Sequence, residues 1–161
     1  IHEGVDFYWG DSCVLIERGT TVVAAYDGVI TRIDHDFVPL TFDEVNRLKA
    51  EIEGEGEPDA EVLDRYLGRQ VWIDHGNGVV SRYGHLSRVT ADLVAGVRVP
   101  QGHRIGGVGE SGSPDSLTAP GTWLHLHWEV RVGDSFLGAN EEPEAVRALY
   151  QRLIEPRTST D

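Results

Sequence analysis

The strongest constraint on this chain is the rhythm with which short β-rich runs alternate with glycine-bearing breaks. "TTVVAAYDGVITRID" (residues 20–34) has two apolar, β-branched stretches joined across Tyr26-Asp27-Gly28, where Asp-Gly predicts a tight turn. "RQVWIDHGNGVVSRYGHLS" (69–87) repeats the device, with Val71 and Ile73 before "DHGNG" and Val79 after it, a hairpin signal. "GVRVPQGHRIGGVGESG" (96–112) is a third unit, its turn marked by Pro100 and Gly102. In "GTWLHLHWEVR" (121–131), Leu124, Leu126, Trp128 and Val130 alternate with His125, His127 and Glu129. That period of two belongs to a strand with one apolar and one polar face. Strands this short and this regularly spaced predict a mainly β fold, an antiparallel sandwich or barrel-like core.

Helical patterns interrupt the rhythm. Residues 41–53 open on Thr41-Phe42-Asp43-Glu44, a capping box, and continue with Val45, Leu48 and Ile52 at helical spacing. After "GEGEP", residues 58–67 carry Val62, Leu63, Tyr66 and Leu67 on one helical face. Together they predict an acidic helical hairpin, inserted over about residues 36–67 between two core strands. Pro143 opens a C-terminal helix whose stripe of Val146, Leu149, Tyr150, Leu153 and Ile154 is expected to pack on the sheet. The expected organisation is one domain over residues 1–155, followed by a disordered tail, "PRTSTD".

Charge narrows the partners. The chain has 27 acidic and 14 basic residues, a net charge of −13, which argues against nucleic acid and anionic membranes. More than half of that excess lies in residues 34–68, where eleven acids face Arg47, Lys49 and Arg65. No apolar run approaches the ~18 residues of a membrane span. Cys13 is the sole cysteine; it is expected to be a small half-buried residue, leaving no internal disulfide and no Cys-based zinc site. The chain starts at Ile1 and contains no methionine, so a processed chain or an excised domain is expected, and a missing leader carries no information about location.

Seven histidines supply the candidate chemistry. On a strand, His125 and His127 project the same way with Cβ atoms roughly 6–7 Å apart. One could then bind a metal while the other addresses whatever the metal holds; the pair fits two hydrogen-bonded strand histidines equally well. His2 and Asp6, in "HEGVDF", add an imidazole and a carboxylate suited to Zn²⁺, although alone they also read as a mobile chain end. Joined with His127 they make a three-ligand set with one open position, the pattern of a catalytic site. His85, in "RYGHLS", follows an apolar strand and is either a surface residue or a further imidazole beside the metal. Glu129 shares the strand face and could orient a ligand or tie the strand to a neighbour. His75, His103 and His35 read as turn and loop residues.

"HEGVDF", "GTTVVAAYDGVITRI", "VWIDHGNGVVSRYGHLS", "GVRVPQGHRIGGVGESG" and "HLHWEVR", in this order, resemble the lysostaphin-type (LytM-domain) zinc metallopeptidases. These are endopeptidases of bacterial peptidoglycan. The resemblance covers about residues 2–33 and 69–132. It implies a LytM-type peptidase domain with one zinc ion per chain, held by His2, Asp6 and His127, and with His85 and His125 as non-ligand catalytic imidazoles. It also implies a peptidoglycan peptide substrate, cleavage by metal-activated water, and an extracytoplasmic location in the envelope or outside the cell. Which of His85 and His125 is the base is left open.

Two segments depart from the family pattern. The acidic hairpin replaces a short loop, and "SGSPDSLTAPGTW" before the His-x-His is long. The hairpin reads as a solvated decoration, or as a lid on the groove or a dock for a regulatory protein. Two other readings compete with the peptidase. One is a metal-bound but idle regulatory module, against which the intact five-residue set argues. The other is a biotinyl- or lipoyl-carrier barrel, suggested by the glycine-rich 96–112 segment; it lacks a lysine at a hairpin tip, since the only lysine is Lys49 in the predicted helix.

Overall fold

The computed structural model describes residues 2–10, 14–54 and 60–155. Cys13, the "GEGEP" linker beyond Gly54, the 156–161 tail and the side chains of Leu48 and Ile52 lie outside the described set. The chain order is β1 (Val5–Tyr8), β2 (Thr21–Val23), β3 (Gly28–Ile33), α1 (Phe42–Ile52), α2 (Ala60–Tyr66), β4 (Val71–Gly76) and β5 (Val79–Gly84). It continues with β6 (Arg88–Val89), β7 (Arg98–Val99), β8 (Arg104–Gly107), α3 (Asp115–Thr118), β9 (His125–Val132), β10 (Ser135–Phe136) and α4 (Pro143–Ile154). No helix among the described residues is long and apolar enough to cross a membrane.

The strands form two antiparallel sheets. The larger runs β1-β9-β5-β4-β3-β7, with β10 added to β9; the smaller runs β2-β8-β6. The core is filled from both: Val22 and Ile105 from the small sheet meet Ile30, Val71, Ile73, Tyr83 and Trp128 from the large one. The sheets do not close on each other, so of the two forms expected it is the open sandwich that forms, not a barrel.

The hairpin signal around "DHGNG" is realised. β4 and β5 pair up to Gly76↔Val79, and Asn77 and Gly78 between them take φ of 54° and 75°. Two left-handed central residues make the type I′ turn that matches strand twist. The other two glycine-bearing turns behave differently. β2 pairs with β8, whereas β3 pairs with β4 and β7. The Asp27-Gly28 and Pro100–Gly102 turns therefore carry the chain from one sheet to the other and close no hairpin. Gly28 is required there by crowding: a Cβ would lie 2.5 Å from Ile73 Cγ2 and 2.6 Å from the Asp74 carbonyl.

The helical expectations hold at their starts. Thr41 caps α1, its hydroxyl accepting from the Glu44 amide while the Glu44 carboxylate accepts from the Thr41 amide. Pro143 sits in the first turn of α4. Of the α4 stripe, Tyr150 is buried and Val146 and Leu153 pack on the core, whereas Ile154 is exposed. Tyr150 also hydrogen-bonds the β9 backbone, its hydroxyl accepting from the Val130 amide at 3.0 Å. The insertion rests on its own small cluster, in which Leu40, Val45 and Val62 pack with Leu117 of α3. The two segments that depart from the family pattern thus pack against each other.

Candidate active site

β9 lies between β1 and β5, and this placement assembles the site. Antiparallel register sets Asp6 opposite His127 and Tyr8 opposite His125. On the other flank Gly84 faces His127 and Arg82 faces Glu129. Directly opposed residues project to the same side of a sheet with Cβ atoms roughly 4.5–5.5 Å apart. His85 follows β5 immediately and adopts φ of 55°, a left-handed conformation uncommon outside glycine.

All five sequence-designated residues come together. One ligand atom each from His2, Asp6 and His127 lies within 4.8 Å of the others. His2 Nε2 is 3.1 Å from Asp6 Oδ2, and His127 Nδ1 is 2.8 Å from Asp6 Oδ1. His125 Nε2 lies 3.9 Å from the same Oδ1. The His85 ring centroid is 4.5 Å from that of His125 and 6.0 Å from that of His127. His85, His125, His127 and Glu129 are all buried, so the polar face of β9 is covered and is not a solvent face. His2 stays half exposed.

Carbonyl partners settle the tautomers. His125 Nδ1 is 2.7 Å from the Trp123 carbonyl and His85 Nδ1 is 2.8 Å from the Ser111 carbonyl. A carbonyl only accepts, so each Nδ1 carries the proton and each neutral ring keeps its lone pair on Nε2. Burial, reinforced by the neighbouring imidazole, pushes His85 down to about 3. Burial also lowers His125. Both are neutral bases at neutral pH. His127 differs: burial works against its charge, but hydrogen bonds to Asp6 and Glu129 outweigh that and raise it to about 9. Burial disfavours the Asp6 carboxylate too, yet its bonds to His127 and His2 hold it far below the ordinary carboxylate range.

Several residues of the site were not singled out in the sequence. Tyr8 stacks on His125 with ring centroids 4.6 Å apart and donates to Asp6 Oδ2 at 3.3 Å. Burial and the Asp6 charge raise its phenol, so it stays protonated. Its signal was the alternation of β1, which puts Tyr8 on the same face as Asp6. Tyr66, at the end of α2, stands edge-on to His85 at 5.7 Å; nothing local reveals that contact. Glu129 makes both contacts expected of it: its Oε1 lies 3.2 Å from His127 Nε2, and its Oε2 reaches Arg82 of the neighbouring β5 at 3.5 Å. Glu110 is buried and accepts from Arg18 and from the Gly121 amide at 2.9 Å, which ties down the long loop before β9. The remaining histidines sit elsewhere. His75 contacts the Asp27 carbonyl and Ser81, His35 contacts the Leu93 carbonyl, and His103 is exposed.

These side chains line a groove of about 920 Å³. One wall comes from the insertion, through Val45, Lys49, Leu63 and Tyr66; another comes from Pro114, Asp115 and Trp123.

A two-sheet antiparallel core with clustered imidazoles and a carboxylate at one face defines the class, and comparison with known proteins agrees. Residues 48–139 match the model of Peptidase family M23, and the chain belongs to that family. The matched span contains His85, His125 and His127; His2 and Asp6 lie before it. The chain is 40% identical over 67 residues to the peptidoglycan DD-endopeptidase ShyA of Vibrio cholerae serotype O1, a match covering 42% of this chain and 14% of ShyA. It is 32% identical over 93 residues to ShyC of the same organism, also described as a peptidoglycan DD-endopeptidase, covering 58% of this chain and 18% of ShyC. Each match thus spans less than a fifth of the relative's length. Among solved structures, the catalytic domain of the prophage-encoded M23 protein EnpA of Enterococcus faecalis superposes with a TM-score of 0.53 at 22% identity, covering 89% of this chain and 79% of that one.

Proposed function

We propose that this chain is a zinc-dependent endopeptidase that hydrolyses peptide bonds in bacterial peptidoglycan, and that it works outside the cytoplasm. Residues 1–155 act as one peptidase unit. The observation that carries the reading is the convergence of His2, Asp6 and His127 with two further buried imidazoles in one groove. The names of the curated relatives favour the D,D-linkage of the peptide cross-link as the bond cut.

The residues suit the ion. Two imidazole nitrogens and a carboxylate are the borderline donors zinc prefers, and three protein ligands leave a position open. With Glu129 accepting from Nε2–H of His127, Nδ1, beside Asp6, is the nitrogen that would give up its proton and donate a lone pair to the ion. His2, Asp6 and His127 would hold the zinc. When bound, zinc supplies Lewis-acid polarisation of a carbonyl and lowers the pKa of a water to about 7.

The other residues move and steer the proton. His125, neutral and with its lone pair on Nε2 close to Asp6, takes a proton from the attacking water and returns it to the leaving amine. The Trp123 carbonyl and the Tyr8 ring hold it in that orientation. His85, pinned to Ser111, offers a second Nε2 acceptor that orients the groups exchanging the proton. The covered face of β9 keeps bulk water from these rings. Four ordered imidazoles serve hydrolysis better than they serve an idle regulatory module.

Metal analysis combined with a peptidoglycan cleavage assay tests the proposal. The parent is expected to carry one zinc per chain and to release cleaved cross-links; His125→Ala should keep the metal and lose turnover. Equal turnover in the variant would refute the mechanism, and zinc without turnover in the parent would refute the enzyme.

A further inference from the structure

The groove contains a guanidinium that its neighbours leave largely unused. Three arginines lie along this side of the large sheet. Arg32 is clasped by Asp34, at 2.8 and 3.0 Å, and by Asp64. Arg131 is paired with Glu3. Among the described residues, the hydrogen-bond partner of Arg82 is Glu129 Oε2 at 3.5 Å, the outer limit of a hydrogen bond. The other oxygen of Glu129 is committed to His127. Among the described residues, Arg82 Nε is buried with no partner at all. Yet the side chain is only 26% exposed, and burial depresses its basicity. An ionised group with free donors in a desolvated place is costly unless something pairs with it.

The mounting of Arg82 is rigid. Its guanidinium lies 3.9 Å over the Trp72 ring, and Trp72 Nε1 donates to Gln70 at 2.8 Å. Gln70 is fully buried and donates in turn to the Asp64 carbonyl of α2 at 2.9 Å. A guanidinium fixed flat on an aromatic ring presents its fork in a set direction. It opens into the same groove as the His2, Asp6 and His127 cluster. On β5, Arg82 is two residues from Gly84, the position facing His127. The two backbone positions are thus roughly 6–7 Å apart, about two residues of an extended peptide.

We propose that Arg82, stacked on Trp72, is a specificity-determining residue that binds a carboxylate of the substrate within about two residues of the cleaved bond. A carboxylate matches the planar fork in a bidentate pair. Glu3, Asp64 and Glu129 also line the groove, so a singly charged carboxylate is opposed less than a doubly charged phosphate. The attraction is local, as it must be in a chain of net charge −13. The inference rests on the peptidase reading of the groove.

The test uses two synthetic cross-linked stem peptides, one with free carboxylates and one with each converted to a carboxamide. The parent is expected to prefer the free acid by about tenfold in kcat/KM, mainly through KM, the size of a charge-assisted pair. Arg82→Gln should collapse the ratio to about one, and Arg82→Lys should give an intermediate value. Equal cleavage of both peptides by the parent, or a ratio that survives in Arg82→Gln, would overturn the assignment. Calorimetric binding of the same peptides to the parent needs no turnover. Equal affinities there sink the carboxylate site, whereas tenfold selective binding without cleavage supports the site and counts against the peptidase reading.

Discussion

Gly109 joins the two halves of the catalytic face, and replacing it by alanine isolates how much positional accuracy the site requires. Its carbonyl accepts from the His125 amide at 3.2 Å, and its Cα packs on the segment that follows His85. A Cβ there would lie 2.5 Å from the Ser87 amide nitrogen and 2.8 Å from the His85 carbonyl. Both are backbone atoms, so no rotamer change relieves the overlap. Ordinary contact begins near 3.4 Å, so the His85–Ser87 segment must retreat by about 1 Å relative to His125. Overpacking of this kind costs roughly 1–3 kcal/mol, a fall in Tm of about 3–10 °C for a chain this size. Displacing a proton-handling group by about 1 Å costs on the order of 10²-fold in turnover. The three residues proposed to hold zinc lie on β1, just ahead of it and on β9, outside the overlapping segment, so zinc content should hold. Gly109→Ala is therefore expected to keep its metal, melt a few degrees early and lose about two orders of magnitude in kcat/KM. Parent-like kcat/KM with an unchanged Tm would refute the claim that the His85–His125 spacing limits the reaction.

The charges around His127 and at the start of α1 lead to two further expected outcomes. Glu129→Gln keeps an acceptor for His127 Nε2 but removes the charge that raises the ring's basicity; zinc affinity, measured by competition with a chelator, should fall about tenfold, the lower end of such effects. Unchanged affinity would show that Glu129 only fills space. Glu44 sits well below its ordinary 4.5, at about 2, because the Thr41 amide and hydroxyl and then Arg65 bind its carboxylate. A depressed carboxylate adds stability that is complete above its unfolded value and is lost as pH falls through its folded one. Helix α1 should thus be intact at pH 4.5 and loosen toward pH 2, and Glu44→Gln should remove that dependence in far-ultraviolet circular dichroism.

What could be read from the sequence was whatever is encoded by near neighbours. The Thr41–Glu44 box, the Asn77-Gly78 turn and Pro143 at the start of α4 each act within four residues, and each stands where expected. Sheet membership is not encoded that way. Asp27-Gly28 says that the chain turns, not that β3 leaves the sheet of β2, because that choice is made by partners some forty to eighty residues away. The site divides similarly. The common direction of His125 and His127 follows from strand alternation. The facing of Asp6 and His127 depends on a β1–β9 register that no local pattern contains, and it was reached through resemblance. The alternation of β9 by itself implies one buried and one polar face. That His127 and Glu129 are as buried as Trp128 became visible only when the cover, from α2 and the loop before β9, was in place.

That cover changes what the acidic insertion is. Read as a decoration, it would be removable as one piece from residues 36–67. Its two helices, however, are attached to different things. α1 touches α2 and, with Leu40, forms a cluster against which Leu117 of α3 packs; it walls the groove and supplies none of the five candidate site residues. The end of α2 is part of the frame. The Leu67 carbonyl accepts from the His85 amide at 2.7 Å, and Tyr66 stands against the His85 ring. Asp64 begins the chain through Gln70 and Trp72 that orients Arg82. Excising all of 36–67 removes the partner of His85 and the anchor of Arg82 together, so lost activity in such a deletion says nothing about a lid. A cut that ends before Asp64 separates the two roles: the wall goes, and the frame that aims His85 and Arg82 stays.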